Sequence, residues 1–171
     1  MEGNAAHAAT GPSGFVARAI EIWALLGGIV LLAIVLMTAK SATRDFLFNR
    51  PLQGDFEMTE MWVAVAVFMF LPYCQQTGAN VTADIFTARA SPRTVALLEL
   101  VSALIALGFS LLLLWRMYYG LLDYREYVET TTILHVPIWY AYVPALISLA
   151  LLALASLISV RNTLRAWKLA R

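Results

Sequence analysis

The sequence predicts an all-α integral membrane protein with four transmembrane helices and both termini on the cytoplasmic side. Three observations carry this. First, 61% of the residues are hydrophobic and only 13% are charged, where soluble domains run to about 45–50% and about 25%. Second, the apolar residues fall in four long blocks. Each is near the ~20 residues needed to cross ~30 Å of hydrocarbon at ~1.5 Å per residue. Third, the charges between the blocks divide by side. Inside lipid no water pairs the backbone N–H and C=O groups, so each block must pair its own and is read as a helix.

Residues 1–14 are small and polar and read as a disordered tail. They hold no basic n-region, and the apolar block that follows is longer than the core of a signal peptide, so it is read as a retained helix. The transmembrane domain is placed at residues 15–165, with spans at 22–39, 58–77, 95–119 and 136–160. Residues 166–171 form a basic tail. Pro72 and Pro144 fall inside spans. Each removes a backbone donor and is read as a shape feature. The stretch from Lys40 to Phe56 reads as a loop, able to lie along the membrane surface as a short amphipathic element. No internal repeat is visible, which counts against a self-sufficient transporter.

Orientation follows from the basic residues near the span ends. Arg18, Arg89, Arg93, Arg161, Arg165, Lys168 and Arg171 fall on the side of the termini, against Lys40, Arg44, Arg50, Arg116 and Arg125 on the other. The acidic residues separate more sharply. Asp45, Asp55, Glu57, Glu60, Asp123, Glu126 and Glu129 all lie on the side away from the termini, assigned to the outside. Trp23, Trp62, Trp115, Trp139 and Trp167 lie near block ends, as an aromatic belt at headgroup depth requires.

Several function classes are excluded. A net charge of +1, with no basic stripe, leaves no nucleic-acid partner. The single cysteine, Cys74, makes neither an internal disulfide nor a cysteine metal cluster. His7 and His135 both lie outside the spans, so no pair holds a haem. Zinc-ligand spacing, nucleotide loops and nucleophile motifs are all missing. The reading is therefore not an enzyme, with no catalytic residue, cofactor or metal.

Six carboxylates are candidates for partner contact. Glu99 lies several residues into the third block, among Leu97, Leu98 and Leu100. A carboxylate at bilayer depth costs about 2.5–3.5 kcal/mol on insertion scales. It is expected against protein, as a polar contact to another helix or subunit rather than an ion site, because no second buried charge accompanies it. Glu57 and Glu60, three apart, share a face at the start of the second span. They complement its helix dipole, or dock a partner's basic surface. Asp123, Glu126 and Glu129 complete the acidic outer side.

Three motifs reach a known family. The first runs from Arg44 through Asn49 to Glu57-Met-Thr-Glu60: an Arg, an aromatic-aliphatic run, Asn, then Glu-x-x-Glu opening the second span. The second is Gly78-Ala-Asn-Val-Thr-Ala-Asp84, with Asn80 where the family usually has His and Ala83 where Val is usual. The third, from Glu129 to Pro144, contains Leu134, Pro137 and Trp139. In order and spacing these resemble the small membrane subunit of tripartite ATP-independent periplasmic (TRAP) transporters, from roughly Phe15 to Arg165. The resemblance implies a multi-pass protein of a bacterial inner membrane. Its partners would be a large membrane subunit that moves the substrate, a periplasmic substrate-binding protein, and the lipid bilayer. It implies sodium-coupled uptake of an organic acid, with this chain as scaffold and docking aid. The competing reading is a small autonomous four-helix multidrug-type transporter acting as a dimer. That class needs a carboxylate within the first span, whereas Glu21 stands at its edge. A haem- or quinone-binding enzyme subunit lacks ligands.

Overall fold

The computed structural model of the protein describes residues 14–78 and 92–169. They form four helices: α1 (Phe15–Phe48), α2 (Asp55–Thr77), α3 (Pro92–Glu126) and α4 (Trp139–Leu169). All four are long and apolar enough to cross a membrane, as expected. The tail calls at 1–13 and 170–171, and the motif positions from Ala79 to Asp84, lie outside the described residues.

Apolarity and helicity end at different places. The apolar block of α1 closes at Ala39, yet the helix continues to Phe48, and the loop expected from Lys40 is limited to the short run before Asp55. Lys40 to Phe48 holds no Gly or Pro, so nothing in the backbone stops the helix there. It stops at Asn49, which takes the left-handed conformation (φ 51°, ψ 39°) and donates its N–H to the Asp45 carbonyl at 2.8 Å. Asn is among the few residues other than Gly that adopt this conformation readily. At 34 residues, α1 is about 51 Å long, well beyond the ~30 Å hydrocarbon layer.

Gly54 (φ 74°) opens α2, and Asp55 and Glu57 occupy its first turn, where carboxylates complement the helix dipole. Gly78 (φ 65°) closes it, with its N–H on the Cys74 carbonyl. Helix α4 starts only at Trp139, after the apolar block opens at Val136. The reason is a small antiparallel bridge between Thr130 and Pro137. Thr131 N–H donates to Val136 O at 2.9 Å and Ile138 N–H to Glu129 O at 3.1 Å, so these backbone groups are paired across a turn instead of along a helix.

The helices pack as a row. α3 lies against α4, α4 against α2, and α2 against α1. The end helices are the least covered. In the most apolar stretch 11% of α3 residues and 17% of α1 residues are buried, against 33% in α4. The buried side of α1 is a single stripe, Ile20, Gly27, Ile34 and Ser41, each seven residues apart, with Ala24 beside it. Seven-residue spacing keeps one stripe facing one neighbour in shallow left-handed packing. Small residues set the separation. A Cβ on Gly27 would stand 2.9 Å from Met69 Cβ, and one on Gly120 would stand 3.1 Å from the Tyr142 ring. Without a hydrophobic drive between helices in lipid, such close approach is what holds them together. Among the described residues the buried polar side chains, Ser41, Ser110, Ser148 and Ser156, are small for the same reason.

Candidate functional site

The α1–α2 and α3–α4 loops meet at one end of the row. The first joint ties α1 to the start of α2. Ser41, buried on the α1 stripe, donates its hydroxyl to Asp55 Oδ2 and accepts the Leu52 N–H at 3.1 Å. The other carboxylate oxygen of Asp55 accepts the Phe56 N–H at 2.8 Å. One serine thus satisfies a loop amide and holds the residue that begins α2.

The second joint ties α2 to the α3–α4 turn. Glu57 Oε1 accepts the Ile133 N–H at 2.9 Å, and Oε2 accepts the Leu134 N–H at 3.2 Å. A carboxylate accepting two backbone N–H groups makes charge-assisted bonds, stronger than neutral ones. The turn is shaped for this. His135 takes a left-handed φ of 52°, its N–H donating to Thr131 O at 3.2 Å, and Thr131 Oγ1 accepts the Val136 N–H at 3.1 Å. Leu134 then lies over Gly54, where a side chain would collide with it.

Aromatic contacts close the far side. The Arg125 guanidinium sits over the Trp139 ring, 5.7 Å from its centroid, and Trp139 contacts Tyr140 at 4.3 Å. Tyr124 of α3 meets Tyr142 of α4 at 5.1 Å. A guanidinium over an indole face is attracted by the ring quadrupole.

The expected contact residues divide accordingly. Glu60, Asp123, Glu126 and Glu129 are exposed at this end, whereas Glu57 is half-buried and its carboxylate is taken up by the turn. The side chain of Glu99 lies outside the described residues. Among the motif residues, Asn49 and Gly78 cap helices, Pro137 forms the bridge, Trp139 carries the cation contact, and Arg44 is exposed near the end of α1. Pro144 lies inside α4, which continues through it. Its carbonyl accepts the Ser148 hydroxyl at 2.7 Å, and Ser148 Oγ accepts the indole N–H of Trp23 at 2.9 Å. Trp23, read as part of the belt, therefore also links α1 to α4. Glu21, the carboxylate nearest to what an autonomous transporter needs, is exposed in the second turn of α1.

The sequence reading takes Gly54 as a breaker and Ser148 as a small interior residue, and misses Ser41 and Thr131. Ser41 had a usable signal, since it continues the seven-residue spacing from Ile20. Among the described residues, no three His, Cys, Asp or Glu side chains group to hold a metal ion. The arrangement is a hydrogen-bonded cap with exposed carboxylates around it, suited to recognition.

A row of four spanning helices, joined at one end by a fixed cap, defines a multi-pass membrane component. The chain belongs to the DctQ component family of tripartite ATP-independent periplasmic transporters, whose family model matches residues 33–166. The family is one of transporter components, and the resemblance read from the three motifs is borne out. Searches of curated proteins and of solved structures give no match.

Proposed function

We propose that this chain is the small, non-transporting membrane subunit of a sodium-coupled TRAP importer of organic acids in a bacterial inner membrane. Its loop end faces the periplasm. There Glu60, Asp123, Glu126 and Glu129 help receive the substrate-binding protein, and an apolar face of the row lies against the large membrane subunit.

One observation carries the reading. The row leaves its end helices, α1 and α3, with broad apolar surface, because each packs chiefly on one helix, α2 and α4 respectively, and α1 reaches α4 through Trp23 and Ser148. Alternating access uses a polar site near the midplane, lined by broken helices in matching positions. Among the described residues the buried positions of the helices are instead Ala, Val, Leu, Ile, Met, Gly, Pro and Ser, with no charged side chain among them. Such a row suits a scaffold laid against a larger partner.

Reconstitution in liposomes with a sodium gradient tests this. The purified chain alone is expected to take up no organic acid, and uptake is expected only with the large subunit and binding protein present. Uptake by the chain alone would overturn the subunit reading in favour of the autonomous transporter.

A further inference from the structure

At the end of α1 the left-handed Asn49 turns the chain so that Arg44, on the helix, and Arg50, beyond it, line one open cleft of about 670 Å³. Pro51, Leu52 and Gln53 complete its walls. Neither guanidinium makes a hydrogen bond or ion pair among the described residues. We propose that this cleft binds the phosphodiester headgroup of an anionic phospholipid.

Depth places it correctly. The apolar block of α1 ends at Ala39, and Arg44 stands about 7.5 Å further along the helix, at headgroup level. Beside it Phe46, Leu47 and Phe48 are 89%, 62% and 68% exposed. Large apolar side chains next to basic ones at this depth are the pattern of an interfacial element that meets lipid. The chemistry selects phosphate. Two arginines lining one cleft match an oxyanion with several acceptor oxygens, and Arg suits phosphate through its planar fork of donors. The apolar Pro51 and Leu52 in the same walls suit a ligand that carries alkyl chains as well as charge, which a free phosphate ion does not. The inference goes beyond the transporter reading and stands whichever way the chain is oriented.

The test uses the full chain in nanodiscs of phosphatidylcholine with phosphatidylglycerol as the minor lipid. Native mass spectrometry then counts the lipid retained on release. The wild type is expected to keep phosphatidylglycerol in preference. R44Q/R50Q is expected to weaken that preference by about tenfold or more, from roughly 1 kcal/mol per basic residue near a membrane surface. R44K/R50K, which keeps the charge but loses the fork, should fall between the two and show that the chain folds with both positions changed. Inorganic phosphate should not displace the lipid. Equal retention of both lipids by the wild type would overturn the proposal, as would an unchanged preference in R44Q/R50Q. Displacement by inorganic phosphate would reassign the cleft to small anions. Loss of the lipid in the complex with the large subunit, with Arg44 or Arg50 crosslinked to a partner carboxylate, would reassign it to a protein contact.

Discussion

Leu134 lies so close over Gly54 that a Cβ on the glycine would come within 2.6 Å of the leucine Cδ1. Gly54 also has φ 74°, a conformation that side chains with a Cβ rarely adopt. The two loops therefore meet through a residue that must be glycine for two independent reasons. Gly54→Ala is expected to destabilise the chain by about 1–3 kcal/mol, the usual cost of such backbone strain before any collision is added. The measurement is the thermal midpoint of the detergent-purified protein. An unchanged midpoint would mean that the α3–α4 turn does not rest on Gly54.

Glu57 and the turn it holds offer a local readout. Glu57→Ala removes the acceptor for both Ile133 N–H and Leu134 N–H. Hydrogen exchange at these two amides should accelerate, while exchange within α2 stays unchanged. Glu57→Gln keeps one acceptor oxygen and should give an intermediate rate.

Adjacent glycines in α1 are expected to behave oppositely. Gly27→Ala places a Cβ 2.9 Å from Met69 Cβ, so α1 and α2 must separate, and stability should fall. Gly28 has open space where a Cβ would go. Gly28→Ala should be neutral or stabilising by up to ~1 kcal/mol, the helix-propensity difference. Thermal midpoints of the two single variants check this.

The Trp23–Ser148 hydrogen bond should contribute little by itself. Interhelical hydrogen bonds in membranes average about 0.6 kcal/mol in double-mutant cycles. Ser148→Ala is thus expected to be mild, and a cycle with Trp23→Phe should return a coupling near that value. Ser148→Leu should be far worse, because Ser148 is 1% exposed and a larger side chain must push α1 away from α4.

Transport should depend on the exposed carboxylates through encounter with the binding protein. Complementary charge sets association rate more than affinity, and salt screens it. Reversing Glu60, Asp123 and Glu126 together should slow uptake by the complete transporter most at low ionic strength. Uptake unchanged at every salt concentration would remove these residues from docking.

The four helices are legible because the bilayer imposes a length and an apolarity on each, and both are written in composition. Their ends are not. Lys40 to Phe48 is polar enough to read as a loop, yet helix formation needs only the absence of a breaker, and the breaker is Asn49. Val136 to Ile138 is apolar enough to read as helix, yet pairs across a turn. The acidic loop end is legible as charge, but Glu57 and Glu60 look alike in sequence. What separates them is a turn 76 residues away in the chain, which supplies the two amides. Hydropathy carries no trace of such a contact. Ser41 is hidden for another reason: a serine just past an apolar block looks like part of a polar loop until the neighbouring helix is in place.

The row also carries an order of assembly. Within the first hairpin, Ser41, Leu52 and Asp55 join α1 to α2 using only residues already made when α2 is complete. The groups that occupy Glu57, at Ile133 and Leu134, are made much later, as α3 gives way to α4. Until they arrive, Glu57 is an open carboxylate at the end of a finished hairpin, and its capture marks the docking of the second hairpin onto the first. During synthesis at the membrane the loop end is thus a latch that can close only after the first hairpin is complete. A chain stalled before residue 133 would leave the Glu57 carboxylate without these two amides.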